Sequence, residues 1–223
     1  MIDLIQESIK DLKLTNAKKR GKHIQKLLDY YNGNNTKQYI ESMFSGDAFT
    51  EIPPVEANIT RRFINKMSRI YTIGANRNAG DKYEGLTVLK SARMKHVERM
   101  TRLCGTIATR IVWNEEETPY YDYRPICFFH VFFDDDPFVP AAISYPIIQP
   151  VEDSSKAEEL TYAYWDAKKY MVTSENGKTL VEKPHNYGVL PFVFTHRENQ
   201  TDSFYVEGAN DIINANEHVN IAM

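Results

Sequence analysis

The hydrophobic positions recur every three to four residues as far as Cys104 and then switch to alternation. In "NAKKRGKHIQKLLDYYNG", Ile24, Leu27, Leu28 and Tyr31 share one face, which predicts a helix opening at Thr15 or Asn16 and closing at Gly33. A shorter helix is expected over "TKQYIESMFSG", from Asn35 or Thr36 to a stop at Gly46. Pro53 and Pro54 introduce "VEANITRRFINKMSRIYTIG". Its apolar stripe is Val55, Ile59, Phe63, Met67 and Ile70, with Arg61, Arg62, Lys66 and Arg69 opposite and Gly74 as the stop. A further helix over 86–103 would bury Leu86, Leu89, Val97, Met100 and Leu103 and expose Lys90, Arg93, Lys95, Arg99 and Arg102.

From Gly105 the period is two. "TIATRIVWN" predicts a strand, Glu115–Glu117 with Thr118 and Pro119 a turn, and "ICFFHVFF" one apolar strand ended by "DDDP". "AAISYPIIQP" is expected at a sheet edge because of its prolines. "ELTYAYWD" follows, and "KYMVTSENGKTLVEK" carries Asn176-Gly177 as a hairpin turn. "HNYGVLPFVFTH" enters a last buried strand through Gly188 and Pro191. In "VEGANDIINANEHVNIAM", Ile212, Ile213, Val219 and Ile221 fall near one helical stripe, with Asn214, Asn216, Glu217 and Asn220 facing elsewhere and Asp211 at the start. No glycine, late basic residue or proline closes that helix, so the expectation is that the polypeptide runs on past Met223. Helices, then a meander of strands, then a helix predict an α+β fold. Its units would be a helical portion 1–104, a β-rich module 105–196, and a linker with the start of a helix, 197–223.

Composition adds that a core is affordable: of 223 residues, 42% are hydrophobic and 12% aromatic. Two cysteines, Cys104 and Cys127, are too few for a disulfide framework and read as reduced, buried thiols. The opening "MIDLIQESIKDLKLTNAKKR" reads as an amphipathic helix and not as a secretory signal. No stretch approaches the ~18 apolar residues of a membrane span, so no membrane partner is expected. Charge is divided. Residues 1–110 hold 20 Lys and Arg against 11 Asp and Glu, and residues 111–223 hold 7 against 19. One reading is two differently solvated portions. The other is a head-to-tail fit between copies, with Arg61, Arg62, Lys66 and Arg69 as the candidate oligomer interface.

Catalytic chemistry finds little support. Asp134–Asp136 is the obvious carboxylate cluster, but consecutive aspartates on an extended chain point alternately and make a poor metal cage, so a solvated turn is expected. His23, His96, His130, His185, His196 and His218 never take metal-ligand spacing, and His130 reads as a core or cross-strand residue. "GANRNAGDK" has the wrong glycine spacing for a phosphate loop and follows a helix. No cofactor or metal is implied, and the expectation is that the chain is not an enzyme. For nucleic acid, the basic faces at 61–69 and 90–102 could meet phosphates, yet the aromatic residues lie in the acidic half.

The succession of segments points further. "NITRRFINKMSRIYTIGANR", "CGTIATRIVWNEEE", "PICFFHVFFDDDP", "LTYAYWDAKKYMV", "KPHNYGVLPFVFTHREN" and "VEGANDIINANEHVN" stand in an order that resembles the portal proteins of tailed bacteriophages. The resemblance covers about residues 50–223 and rests on order and spacing. Its motif positions are Asn186, Tyr187, Gly188, Pro191, Phe192 and Val193, then Asp211, Asn214, Asn216 and Asn220. It implies the wing of a homo-oligomeric ring, a dodecamer, at the capsid portal vertex of the virion, assembled in the host cytoplasm. It also implies double-stranded DNA passing through the ring during packaging and ejection. The partners would be the major capsid protein, the terminase packaging motor, which hydrolyses the ATP, and the head-tail adaptor. The family's stem and clip would follow the helix at Asp211 and are missing here, which fits an N-terminal part of a longer product or a shortened relative. The rival readings are another phage head or neck component, an adaptor or minor capsid protein, and a metal-dependent nucleic-acid-processing enzyme using Asp134–Asp136.

Overall fold

The computed structural model describes residues 15–44, 57–71, 90–114, 120–149 and 159–222. Expectations for residues 1–14, for the stops at Gly46 and Gly74, for Val55, Leu86 and Leu89, for the 115–119 turn and for the loop after Gly74 lie outside them. The chain is an α+β protein. Among the described residues four helices come first: α1 (Thr15–Asn32), α2 (Thr36–Glu41), α3 (Ile59–Met67) and α4 (Lys90–Cys104). Eight strands among the described residues follow: β1 (Thr106–Asn114), β2 (Tyr120–Ile126), β3 (His130–Phe133), β4 (Pro140–Gln149), β5 (Glu159–Trp165), β6 (Lys169–Ser174), β7 (Thr179–Pro184) and β8 (Phe192–His196). Helix α5 (Asn210–Ala222) closes the described chain.

Helix α1 ends as its sequence requires. Gly33 takes φ 79°, and the Gly33 and Asn34 amides both donate to the Asp29 carbonyl at 2.8 Å. The buried Asp29 carboxylate accepts from Gln25 Nε2 (2.9 Å) and from Tyr39 Oη (2.8 Å), fastening α2 to α1. Burial and that hydrogen bond push the Tyr39 phenol up to about 12. Ile24, Leu27, Tyr30 and Tyr31 then pack with Ile64 of α3, with Val97, Met100 and Leu103 of α4, and with Ile213 of α5.

The strands form two antiparallel sheets, β2-β1-β8 and β3-β4-β5-β6-β7. The Asn176-Gly177 turn joins β6 to β7, with Gly177 at φ 80°. Two expectations need correction. "ICFFHVFF" is not one strand: β2 ends at Ile126 in the first sheet and β3 begins at His130 in the second. The run is apolar because Cys127, Phe128 and Phe129 cross between sheets and pack inward there. Nor is β4 an edge, since it lies between β3 and β5. Its prolines are tolerated because Pro140 stands at the strand start beside a register shift, and Pro146 lies past the stretch that β3 reaches, with β5 as its ladder partner.

Helix α5 brings the third correction. Its buried row is Ile213, Asn216, Glu217 and Asn220, and the residues expected to face elsewhere are largely those facing in, while Ile221 is exposed. Asn216 is 0% exposed and donates from Nδ2 to Thr60 Oγ1 at 3.2 Å, and Asn220, 2% exposed, accepts the Ala57 amide at 3.1 Å. Lys26 Nζ of α1 lies 2.6 Å from the Glu217 carboxylate. A polar seam therefore fixes α5 against α1 and α3. Asn216→Ala strips Thr60 of that partner in a site shut from water, and should cost ~1–3 kcal/mol. Exposed Asn214→Ala should cost close to nothing. Urea midpoints of the two variants check this, and equal midpoints would mean that the seam contributes no stability.

Candidate functional site

Helix α3 carries the basic residues singled out by charge. Asn58 caps it, its side chain accepting the Arg61 amide at 3.0 Å. The buried row is Thr60, Ile64 and Ser68, and Ser68 Oγ donates to the Ile64 carbonyl at 2.8 Å. That row is displaced from the expected one. Phe63, Met67 and Ile70 are 52, 47 and 67% exposed, so the stripe assigned to the core lies outside with the charges. The physical reason is in the neighbours. Thr60 is drawn inward by Asn216, and small hydroxyl residues at 60 and 68 let the helix approach α1 and α5 closely.

Arg61, Arg62, Lys66 and Arg69 are all exposed. The Arg61 guanidinium is 5.8 Å from the centre of the Tyr31 ring, and Arg69 Nε donates to the Lys66 carbonyl at 2.8 Å. Arg62 and Lys66 extend from the same outer surface. Four cations and three large apolar side chains are thus all exposed along this two-and-a-half-turn helix and the residues after it. Such a mixture suits a protein contact better than a solvated surface, since isolated charges would not need apolar neighbours.

The other candidates disperse. Asp134, Asp135 and Asp136 sit in an exposed turn, and Asp136 Oδ1 accepts the Phe138 amide at 2.8 Å, the local bond typical of an aspartate turn. Among the described residues no three His, Cys, Asp or Glu groups converge to hold a metal. His130 is half-buried and lies edge-on to Phe132, with ring centres 5.1 Å apart. His196 Nδ1 is 3.0 Å from Thr106 Oγ1, which also accepts the Val206 amide at 2.8 Å. Burial lowers the His196 imidazole below its ordinary value. This group ties β1, β8 and the 197–209 segment together.

Two clefts flank α1. One of ≈ 640 Å³ has apolar and aromatic walls, including Ile24, Phe128, Tyr145, Ile147 and Tyr162, with Arg20 at its rim. The other, ≈ 270 Å³, contains both cysteines, which sequence reasoning left as separate buried thiols. The signal that could have found the pair is positional. Both cysteines stand at the open end of one antiparallel hairpin, Cys104 just before β1 and Cys127 just after β2.

No protein-family model matches the chain, and no curated protein matches it.

Proposed function

We propose that the chain is the wing portion of a tailed-phage portal, a structural virion protein that assembles into a closed ring at one capsid vertex. Through that ring double-stranded DNA would enter and leave. The observation that carries the reading concerns the last motif behind the resemblance. Asp211, Asn214, Asn216 and Asn220 divide into exposed residues, Asp211 and Asn214, and buried anchors, Asn216 and Asn220. A helix held by polar anchors, with no wide apolar face, has its direction fixed relative to the helical layer. A ring built from repeated subunits needs that geometric constancy.

The outward face of α3 supplies a means of joining copies. Its cations would meet the acidic half of the next subunit while Phe63, Met67 and Ile70 lose water in the same contact. The major capsid protein, the packaging motor and the head-tail adaptor would bind other surfaces of the ring. Hydrolysis of ATP would belong to the motor.

Native mass spectrometry of the assembled protein tests the reading. A closed ring is expected, with Arg62→Glu plus Lys66→Glu shifting the population toward monomer. Added salt should have the same effect on the parent, because exposed charges are screened beyond ~8–10 Å at physiological ionic strength. A protein that stays monomeric at every salt concentration refutes the ring. Rings untouched by both charge reversals would remove the α3 face from it.

A further inference from the structure

The two cysteines of the chain come from different elements and meet. Cys104 is the last residue of α4, and Cys127 follows the last residue of β2. The β1–β2 ladder sets Ala108 opposite Ile126, so the antiparallel hairpin folds Cys127 back toward the residues that enter β1. The two thiols lie close enough to interact with one another. Cys104 is buried and Cys127 half-buried, and both line the ≈ 270 Å³ cleft between α1 and the 205–208 segment.

The other wall of that cleft carries the cations Lys19 and Arg20 of α1, together with His23, whose imidazole burial holds below its ordinary value, opposed by Glu207. Arg20 is held in place, its Nη2 donating to the Phe129 carbonyl at 2.7 Å and its guanidinium 3.7 Å from the centre of the Tyr205 ring. We propose that Cys104 and Cys127 form a redox pair, an intramolecular disulfide made by a peroxide and undone by a thiol, which staples the end of α4 to the β2–β3 crossing.

The roles within the pair follow from access. Cys104 is buried at the end of α4, whereas Cys127 is half-buried and open to the cleft. Cys127 is therefore the attacking thiolate and Cys104 the resolving thiol. The Cys127 sulfur attacks one peroxide oxygen, the O–O bond breaks, and a sulfenic acid forms as hydroxide leaves and takes up a proton. The Cys104 sulfur then attacks the sulfenic sulfur, the S–S bond forms, and the S–O bond breaks. The departing hydroxide takes the Cys104 proton. Two thiols and one hydrogen peroxide give one disulfide and two waters. Cys104 stands ready to stop further oxidation at the second step.

The test is hydrogen peroxide added to the folded parent protein, followed by non-reducing proteolysis and mass spectrometry. A peptide linked through Cys104 and Cys127, lighter by two hydrogens and released by dithiothreitol, is the expected result. The oxidised protein should also melt several degrees higher than the reduced one, because the bond restricts the unfolded chain. In Cys104→Ala, Cys127 should be trapped as a sulfenic acid that dimedone labels; in Cys127→Ala, Cys104 should take no label. Thiols that survive peroxide in excess, or oxidation that ends in sulfinic acids or in links between chains, would overturn the pair. Dimedone labelling Cys104 in Cys127→Ala while Cys127 in Cys104→Ala stays unlabelled would overturn the assignment of roles. The first measurement uses the parent alone and stands whether or not the variants fold.

Discussion

Gly105→Ala should destabilise the protein by about 4 kcal/mol or more, the sum of a backbone term and a clash. Gly105 is the single residue between α4 and β1, and it holds φ 83°. Its amide donates to the Thr101 carbonyl at 2.9 Å, ending the helix, and its carbonyl accepts from the Arg197 amide at 2.8 Å, starting the sheet. An added Cβ would run into the carbonyl oxygens of Val206 and Glu207 and stand 2.5 Å from the Glu207 carbonyl carbon. All three atoms are backbone, so no rotamer change can clear them. They belong to a segment tied down on both sides, by Val206 N–H to Thr106 Oγ1 (2.8 Å) and by Ala209 N–H to the Leu103 carbonyl (2.9 Å). Gly188 offers the comparison. It also has a left-handed φ, 67°, but a Cβ there meets nothing within 4 Å, so Gly188→Ala should cost only the ~1–2 kcal/mol of the backbone term. Denaturant midpoints of the two variants separate strain from collision. Equal losses would show that the 206–207 segment gives way and that the joint is loose.

The same contrast shows what the sequence makes legible. Gly33, Gly177 and Gly188 could be read as punctuation because a left-handed residue ends a helix or turns a chain wherever it stands. The close approach of residues 206–207 to Gly105 depends on a contact a hundred residues along the chain, and no local pattern announces it. Periodicity fails in a related way. It tells which side chains share a face, but the covered face is chosen by the partner. In α3 the step of four from Ile59 to Phe63 to Met67 is real, yet the neighbour takes the row beginning at Thr60. In α5 the buried row Ile213, Asn216, Glu217 and Asn220 has the spacing of a core stripe, and only its polar chemistry hid it. Among the site candidates, exposure of the α3 cations and the Asp134–Asp136 turn followed from residue type alone. The cysteine pair did not, because it arises from closure of the β1–β2 hairpin onto the end of α4.

Phe192→Ala should cost ~3–5 kcal/mol, since it removes the ring that joins the two sheets and leaves a cavity in its place. Strand β8 belongs to the three-stranded sheet, with Phe192 opposite Arg110 of β1. The Phe192 ring nevertheless meets Tyr145 of β4 and Trp165 of β5 edge to face, at centre distances of 6.1 and 6.0 Å. It is 8% exposed, within a cluster that takes Ala108 from one sheet and Ile143, Ala163 and Trp165 from the other. Arg110 completes the arrangement, its guanidinium 4.3 Å from the centre of the Trp165 ring. Two neighbours along the strand set the scale. Val193 points outward at 49% exposure, so Val193→Ala should change stability by less than ~0.5 kcal/mol. Phe194, on the same side as Phe192, packs against Phe129 and Phe204 but is only half-buried, so its alanine variant should fall between the two. The measurement is thermal and urea unfolding of all three variants, with Trp165 fluorescence as a reporter beside Phe192. Loss in the order Phe192, Phe194, Val193 is expected. A Phe192→Ala protein as stable as Val193→Ala would mean that the two sheets do not share a core at this strand.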